Sequence, residues 1–86
     1  MTEKVDTPIS VTFNFNHYLR SVRPQKIIWD GREYLVTKIG LHHTFRRGQT
    51  LFHIFSVLAG NIFFRLELDT ANLFWRLQEI SDGQPS

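Results

Sequence analysis

The 86 residues contain no cysteine, which excludes a disulfide scaffold, a cysteine-based zinc finger and thiol catalysis. Proline (three) and glycine (five) are sparse, and no low-complexity tract or internal repeat is present. No apolar run approaches the roughly 18 residues that a membrane-spanning helix needs. The opening residues, MTEKVDTP, are polar and acidic, unlike a secretory signal or a transit peptide. Net charge is only +2, too little to keep a chain with 42% hydrophobic residues unfolded. What the sequence does hold is aromatics: eight Phe, two Trp and two Tyr. The expectation is one small soluble domain in the cytoplasm, with one core and no membrane association. A chain of this size buries only about 60–65% of its unfolded surface, so its stability is modest.

Alternation of apolar and polar residues with period two marks strands. Ile9, Val11, Phe13 and Phe15 alternate with Ser10, Thr12, Asn14 and Asn16. His17 to Arg23 loses the period, and Pro24 ends what reads as a loop or short helical turn. Asp30-Gly31 between Ile27-Ile28-Trp29 and Tyr34-Leu35-Val36 predicts a tight type I′ hairpin, with Trp29 opposite Arg32 and Ile27 opposite Tyr34. Trp29, Tyr34 and Val36 are expected to be buried or nearly so, with Gly31 at positive φ. The third strand runs to about Phe45 with a bend at Gly40. A fourth runs from Thr50 to Ala59, and a fifth from Ile62 to Leu68. Residues 70–80 read as a sixth strand, or as a capped helix with Leu73, Leu77 and Ile80 on one face; the short connection favours the strand. The fold class is therefore all-β: an antiparallel meander of five or six strands, curled into a small barrel of SH3-like or similar type. The domain is expected over residues 8–80, with flexible tails at 1–7 and 81–86.

Around the hairpin stand Arg23-Pro24, Ile28-Trp29-Asp30-Gly31-Arg32, Tyr34 and Val36. This R-P…W-x-G-R-x-Y-x-V string resembles small bacterial domains of unknown function, found alone or appended to translesion-polymerase-like proteins. Phe63-Phe64, Asp69, Trp75 and Leu77 look like the end of those domains. His42-His43 and the phenylalanine-rich fourth strand depart from them. The resemblance implies no activity, only a setting near DNA transactions.

Chemistry-bearing constellations are few. A turn over Arg46–Gln49 that closes on two or four residues puts His42 directly opposite His53, where two imidazoles can share an anion or a metal. Two ligands make a poor zinc site, and packing as amphipathic aromatics is the plainer expectation. Glu67 and Asp69 share a strand face with Arg65, which reads as a solvated salt-bridge face. Ser56 lacks the flanking glycines of a nucleophile elbow. No phosphate-cradling glycine loop or HExxH pair occurs. The expectation is a protein that is not an enzyme, with no cofactor and no small-molecule substrate.

Partners are indicated by two surfaces. Between Arg20 and Arg76 nine basic residues face four acids, and arginine outnumbers lysine seven to three in the chain. Arg20, Arg23, Arg32, Arg46 and Arg47 are the candidate nucleic-acid contacts, acting on phosphates without sequence readout. The third to fifth strands are apolar on both faces. One face, with Tyr34, Val36, Leu51, Phe55, Val57, Ile62, Phe64, Leu66, Leu68, Leu73, Trp75 and Leu77, is the expected core. The other, with Leu35, Ile39, Leu41, Phe45, Phe52, Ile54, Leu58 and Phe63, is too apolar to be left wet. The first choice is accordingly a protein-interaction or homo-oligomerising module using that face; the alternative is a weak DNA- or RNA-binding domain using the arginines.

Overall fold

A computed structural model describes residues 2–82. The chain is all-β, with six antiparallel strands in sequence order that close into a barrel: β1 (Thr2–Asn16), β2 (Ser21–Trp29), β3 (Arg32–Arg47), β4 (Thr50–Ala59), β5 (Ile62–Asp69) and β6 (Phe74–Ser81). Among the described residues no helix is long and apolar enough to cross a membrane.

Tight turns set the registers. Asp30 (φ 52°) and Gly31 (φ 76°) both take positive φ, as a type I′ turn requires, and Trp29 pairs with Arg32 and Ile27 with Tyr34. Gly60 (φ 57°) and Asn61 (φ 65°) repeat the device between β4 and β5. Trp29, Tyr34 and Val36 pack against the core and are half-buried. The β2–β3 ladder spans only Lys26 to Trp29 against Arg32 to Leu35.

Strand length forces the curl. Sixteen residues of β3 at about 3.3 Å each would reach about 53 Å, whereas the longest dimension of the molecule is 35 Å. The strand bends where its register slips, between Val36 and Lys38 and again between Ile39 and Leu41, so Gly40 is the expected bulge. The slips also turn Ile39 inward onto the core, away from the outer face assigned to it by alternation.

Three expectations fail, each because tertiary pairing outweighs a weak local signal. Residues 2–7 are strand and not a tail: Thr2 to Lys4 and Thr7 pair with β6, Val5 packs on the core, and Asp6 pairs with Arg76 at 3.0 Å. The closing strand of a barrel must cover the edge of β6, and that need is invisible in a polar segment. Pro24 does not end a loop; it lies buried in β2 opposite Phe13, beside a register slip, a place where a missing N–H is tolerated. Leu73 is not core. It is 58% exposed at φ 62°, in the turn before β6. The helix alternative survives as one turn, in which Leu73 N donates to Asp69 O at 2.7 Å and the left-handed Leu73 stops propagation. At the other end Ser81 still belongs to β6, and residues 83–86 of the expected tail lie outside the described residues.

The core is made of Ile27, Phe55, Val57, Ala59, Phe64, Leu66, Leu68, Trp75 and Leu77. Above it the barrel is not sealed. β2 and β3 part beyond Lys26 and Leu35, and β1 runs on past Ile9, its last partner on β6. Both gaps open toward the end that carries the β1–β2, β3–β4 and β5–β6 turns.

Candidate binding site at the open end of the barrel

Meander topology sends alternate turns to opposite ends. The turns at 17–20, 48–49 and 70–73 lie at the open end; Asp30-Gly31 and Gly60-Asn61 lie at the closed end. Arg20, Arg23, Arg46 and Arg47 are therefore brought toward one end, and Arg32 is not. It sits at the closed end beside Asp30 and Glu33. All four open-end arginines are exposed. The two salt bridges found between described side chains, Lys26–Glu33 and Arg76–Asp6, use none of them. Arg47 instead lies over the rings of Phe45 and Phe52, 5.6 and 5.2 Å from their centroids.

Exposed rings share this end. Phe15 is 56% exposed, Tyr18 93% and Phe74 68%. The alternation pattern missed Tyr18 and Phe74 because neither lies in a periodic run. Their signal was aromatic residues inside turn-forming sequence.

The histidines meet, though not as direct opposites. The β3–β4 turn is the two-residue Gly48-Gln49, with Arg47 paired to Thr50, so His42 faces Phe55 and His53 faces Thr44. The register lies two residues from the expected one, which preserves the face and makes the pair diagonal. His42 Nε2 and His53 Nδ1 are 2.7 Å apart with ring planes 13° apart, an edge-to-edge hydrogen bond in which one nitrogen donates. His42 lies flat on Phe55, 4.2 Å between centroids and 5° between planes. Burial lowers the pKa of both rings from the ordinary 6.5; His43 adds to the effect at His42, and His42 adds to it at His53. Because the two facing nitrogens bond each other, they do not converge on a third atom. Among the described residues no group of three or more His, Asp or Glu is arranged to hold a metal ion.

Clefts mark the two gaps. The one between β1 and the β5–β6 turn is about 660 Å³, lined by Val11, Phe13, Leu73, Phe74 and Trp75 among others. The Trp75 indole N–H is buried without a hydrogen-bond partner. Between β2 and β3 lies a cleft of about 270 Å³, lined by Arg23, Pro24, Gln25, Val36, Thr37, Lys38 and Ile39 and by no carboxylate.

No protein family, curated protein or solved structure matches this chain. Function must be argued from the site.

The expected apolar contact face is only partly available. Leu41, Phe52, Ile54, Leu58 and Phe63 do share the outer side of β3, β4 and β5, with Leu58 opposite Phe63. Leu41 (66%) and Phe63 (47%) are exposed, but Phe52 (7%) and Ile54 (3%) are buried. Phe45 stacks on Phe52 at 5.1 Å, and Arg47 lies over both rings. The expected Arg65–Glu67 salt bridge is a relay: Arg65 Nε donates to Gln78 Oε1 at 3.1 Å, and Gln78 Nε2 donates to Glu67 Oε2 at 2.7 Å. Asp69 accepts the Ala71 N–H in its turn. Neither carboxylate is arranged with a partner for acid–base chemistry. Ser56 is paired mid-strand opposite Arg65.

Proposed function

We propose that this protein is a non-enzymatic binding domain whose open end takes single-stranded nucleic acid, through backbone phosphates and ring stacking and with little sequence readout. One observation carries the reading: four exposed arginines, in no salt bridge among the described residues, and three exposed rings lie on the strand ends and turns at one end of a barrel whose other end bears Arg32 together with Asp30, Glu33 and Asp82. Cationic side chains interleaved with aromatics suit a flexible polyanion with flat bases. The absence of a helix among the described residues argues against insertion into the major groove of duplex DNA. The hairpin's resemblance to domains near translesion-like polymerases agrees with a DNA-transaction setting, and the lack of cysteine with a reducing bacterial cytoplasm.

A second reading is favoured by the outer face of β3 to β5. Leu41, Leu58 and Phe63 suit a protein contact or a second copy of the chain. This module ranks below nucleic-acid binding because Phe52 and Ile54, its intended centre, are covered by the chain itself.

Fluorescence anisotropy with labelled single- and double-stranded oligonucleotides, at low and at physiological salt, tests the first reading. Micromolar binding that prefers the single strand and collapses in the Arg46→Ala/Arg47→Ala variant is the expected result. Absence of binding to either form at low salt overturns it. Sedimentation of a dimer that Phe63→Glu dissociates would then support the second.

A further inference from the structure

Resting on that reading, the side chains inside the open end specify how one base is held. Register puts His42, Thr44 and Arg46 of β3 on the same inward side as His53 and Phe55 of β4. His42 and His53 meet edge to edge in nearly one plane, so their rings form a single flat surface wider than either imidazole. One side of that surface is filled. Phe55 lies parallel beneath His42, 4.2 Å between centroids and 5° between planes, and is offset to 6.0 Å from His53; it is itself 1% exposed and packed on Trp75. His42 is nevertheless exposed, and since Phe55 covers one side, the accessible side is the other. A rigidly backed, flat, half-open aromatic surface is what an unstacked base needs.

A separate cleft, between β2 and β3, suits the backbone. Arg23 of β2 and Lys38 of β3 line the gap where the two strands part, with Gln25 and Thr37 and no acid. Lys38 precedes His42 by four residues on β3, but the extra residue Gly40 leaves them on opposite sides of the strand, Lys38 with the outer Leu58 and His42 with the inward Phe55, so the cleft and the flat surface are separate stations.

We propose that the His42–His53 pair, seated on Phe55, is the stacking platform for one base of a single-stranded nucleic acid, with the Arg23–Lys38 cleft holding a phosphate farther along the same nucleic-acid strand. The two stations have separable signatures. Burial keeps both imidazoles neutral at neutral pH, so the platform contributes affinity without releasing counterions. The cation pair contributes to the salt slope, at about 0.7 for each phosphate neutralised on a single strand.

The test compares a labelled oligonucleotide with an abasic oligonucleotide of the same length, by anisotropy across a salt series. Wild-type protein is expected to bind the base-bearing strand on the order of 10-fold more tightly. His42→Ala removes that preference with the salt slope unchanged, and His42→Phe, which keeps a flat ring on Phe55, retains it. Arg23→Ala/Lys38→Ala weakens binding to both strands and lowers the slope by about 0.7. Equal binding of the two strands by wild-type protein overturns the platform while leaving the electrostatic function standing. No binding of either strand at low salt overturns both. The strand comparison needs no variant, so a folding defect in His42→Ala does not obscure the outcome.

Discussion

Gly31 and Gly60 both occupy left-handed backbone, yet they differ in what an added methyl would meet. Around Gly31 there is open space; at Gly60 a Cβ would lie 3.1 Å from Tyr34 Cδ1. Gly31→Ala therefore costs only backbone strain, about 1–2 kcal/mol. Gly60→Ala adds displacement of a ring that packs on Phe64 at 5.4 Å, so it is the more destabilising of the two in urea unfolding. The histidine pair makes a pH prediction. Both pKa values are lowered on folding, so between the folded values and 6.5 the unfolded chain binds more protons. Stability conferred by the neutral pair is complete above 6.5 and falls as the pH drops through that window. The urea midpoint should decrease from pH 7.5 to pH 5.5, and His53→Gln should flatten the decrease. A wild-type midpoint that rises on acidification contradicts the arrangement.

At the scale of strands, the two faces of β4 behave differently from their composition. Ile54 points outward by register, opposite Glu67, yet is 3% exposed. Ile54→Glu should thus cost about 3 kcal/mol or more, as burial of an unpaired charge does. Phe63→Glu, on the same outer side but 47% exposed, should cost about 1 kcal/mol or less; equal losses in the two variants would contradict the burial pattern. Much of this architecture was legible beforehand. Asp30-Gly31 announced its turn type and register, and the bounds of β4 followed from apolar residues between Gly48-Gln49 and Gly60-Asn61. Barrel closure was not legible, because Thr2 to Thr7 offers only Val5 as an apolar signal and acquires strand structure from β6. The histidine register was misjudged by two residues since Arg46–Gln49 allows several two-residue loops, and only Gly48 at positive φ in the first turn position selects one. Of the candidate site, the arginines were visible individually; which turns share an end depends on strand count and closure. Tyr18 and Phe74 gain meaning only once that end is assembled.

The whole molecule is a barrel with unlike ends. Closed-end turns carry Asp30 with Gly31 and Gly60 with Asn61, and the described C-terminal residue there is Asp82. Open-end turns carry arginine and aromatic side chains beside two clefts. Removing residues 2–7 should expose the edge of β6 and uncover Leu77, so the shortened chain is expected to lose cooperative unfolding in urea; an unchanged transition would contradict closure of the ring. Polarity of the ends also makes function a question of place. Backbone amide NMR of the full chain, titrated with a short single-stranded oligonucleotide at low salt, reads that place directly. Shifts concentrated at residues 17–23, 36–48 and 70–75, with Gly31 and Gly60 unmoved, are the expected result. Shifts confined to the closed-end turns or to the outer face around Leu58 and Phe63, or none at all, would contradict a nucleic-acid site at the open end.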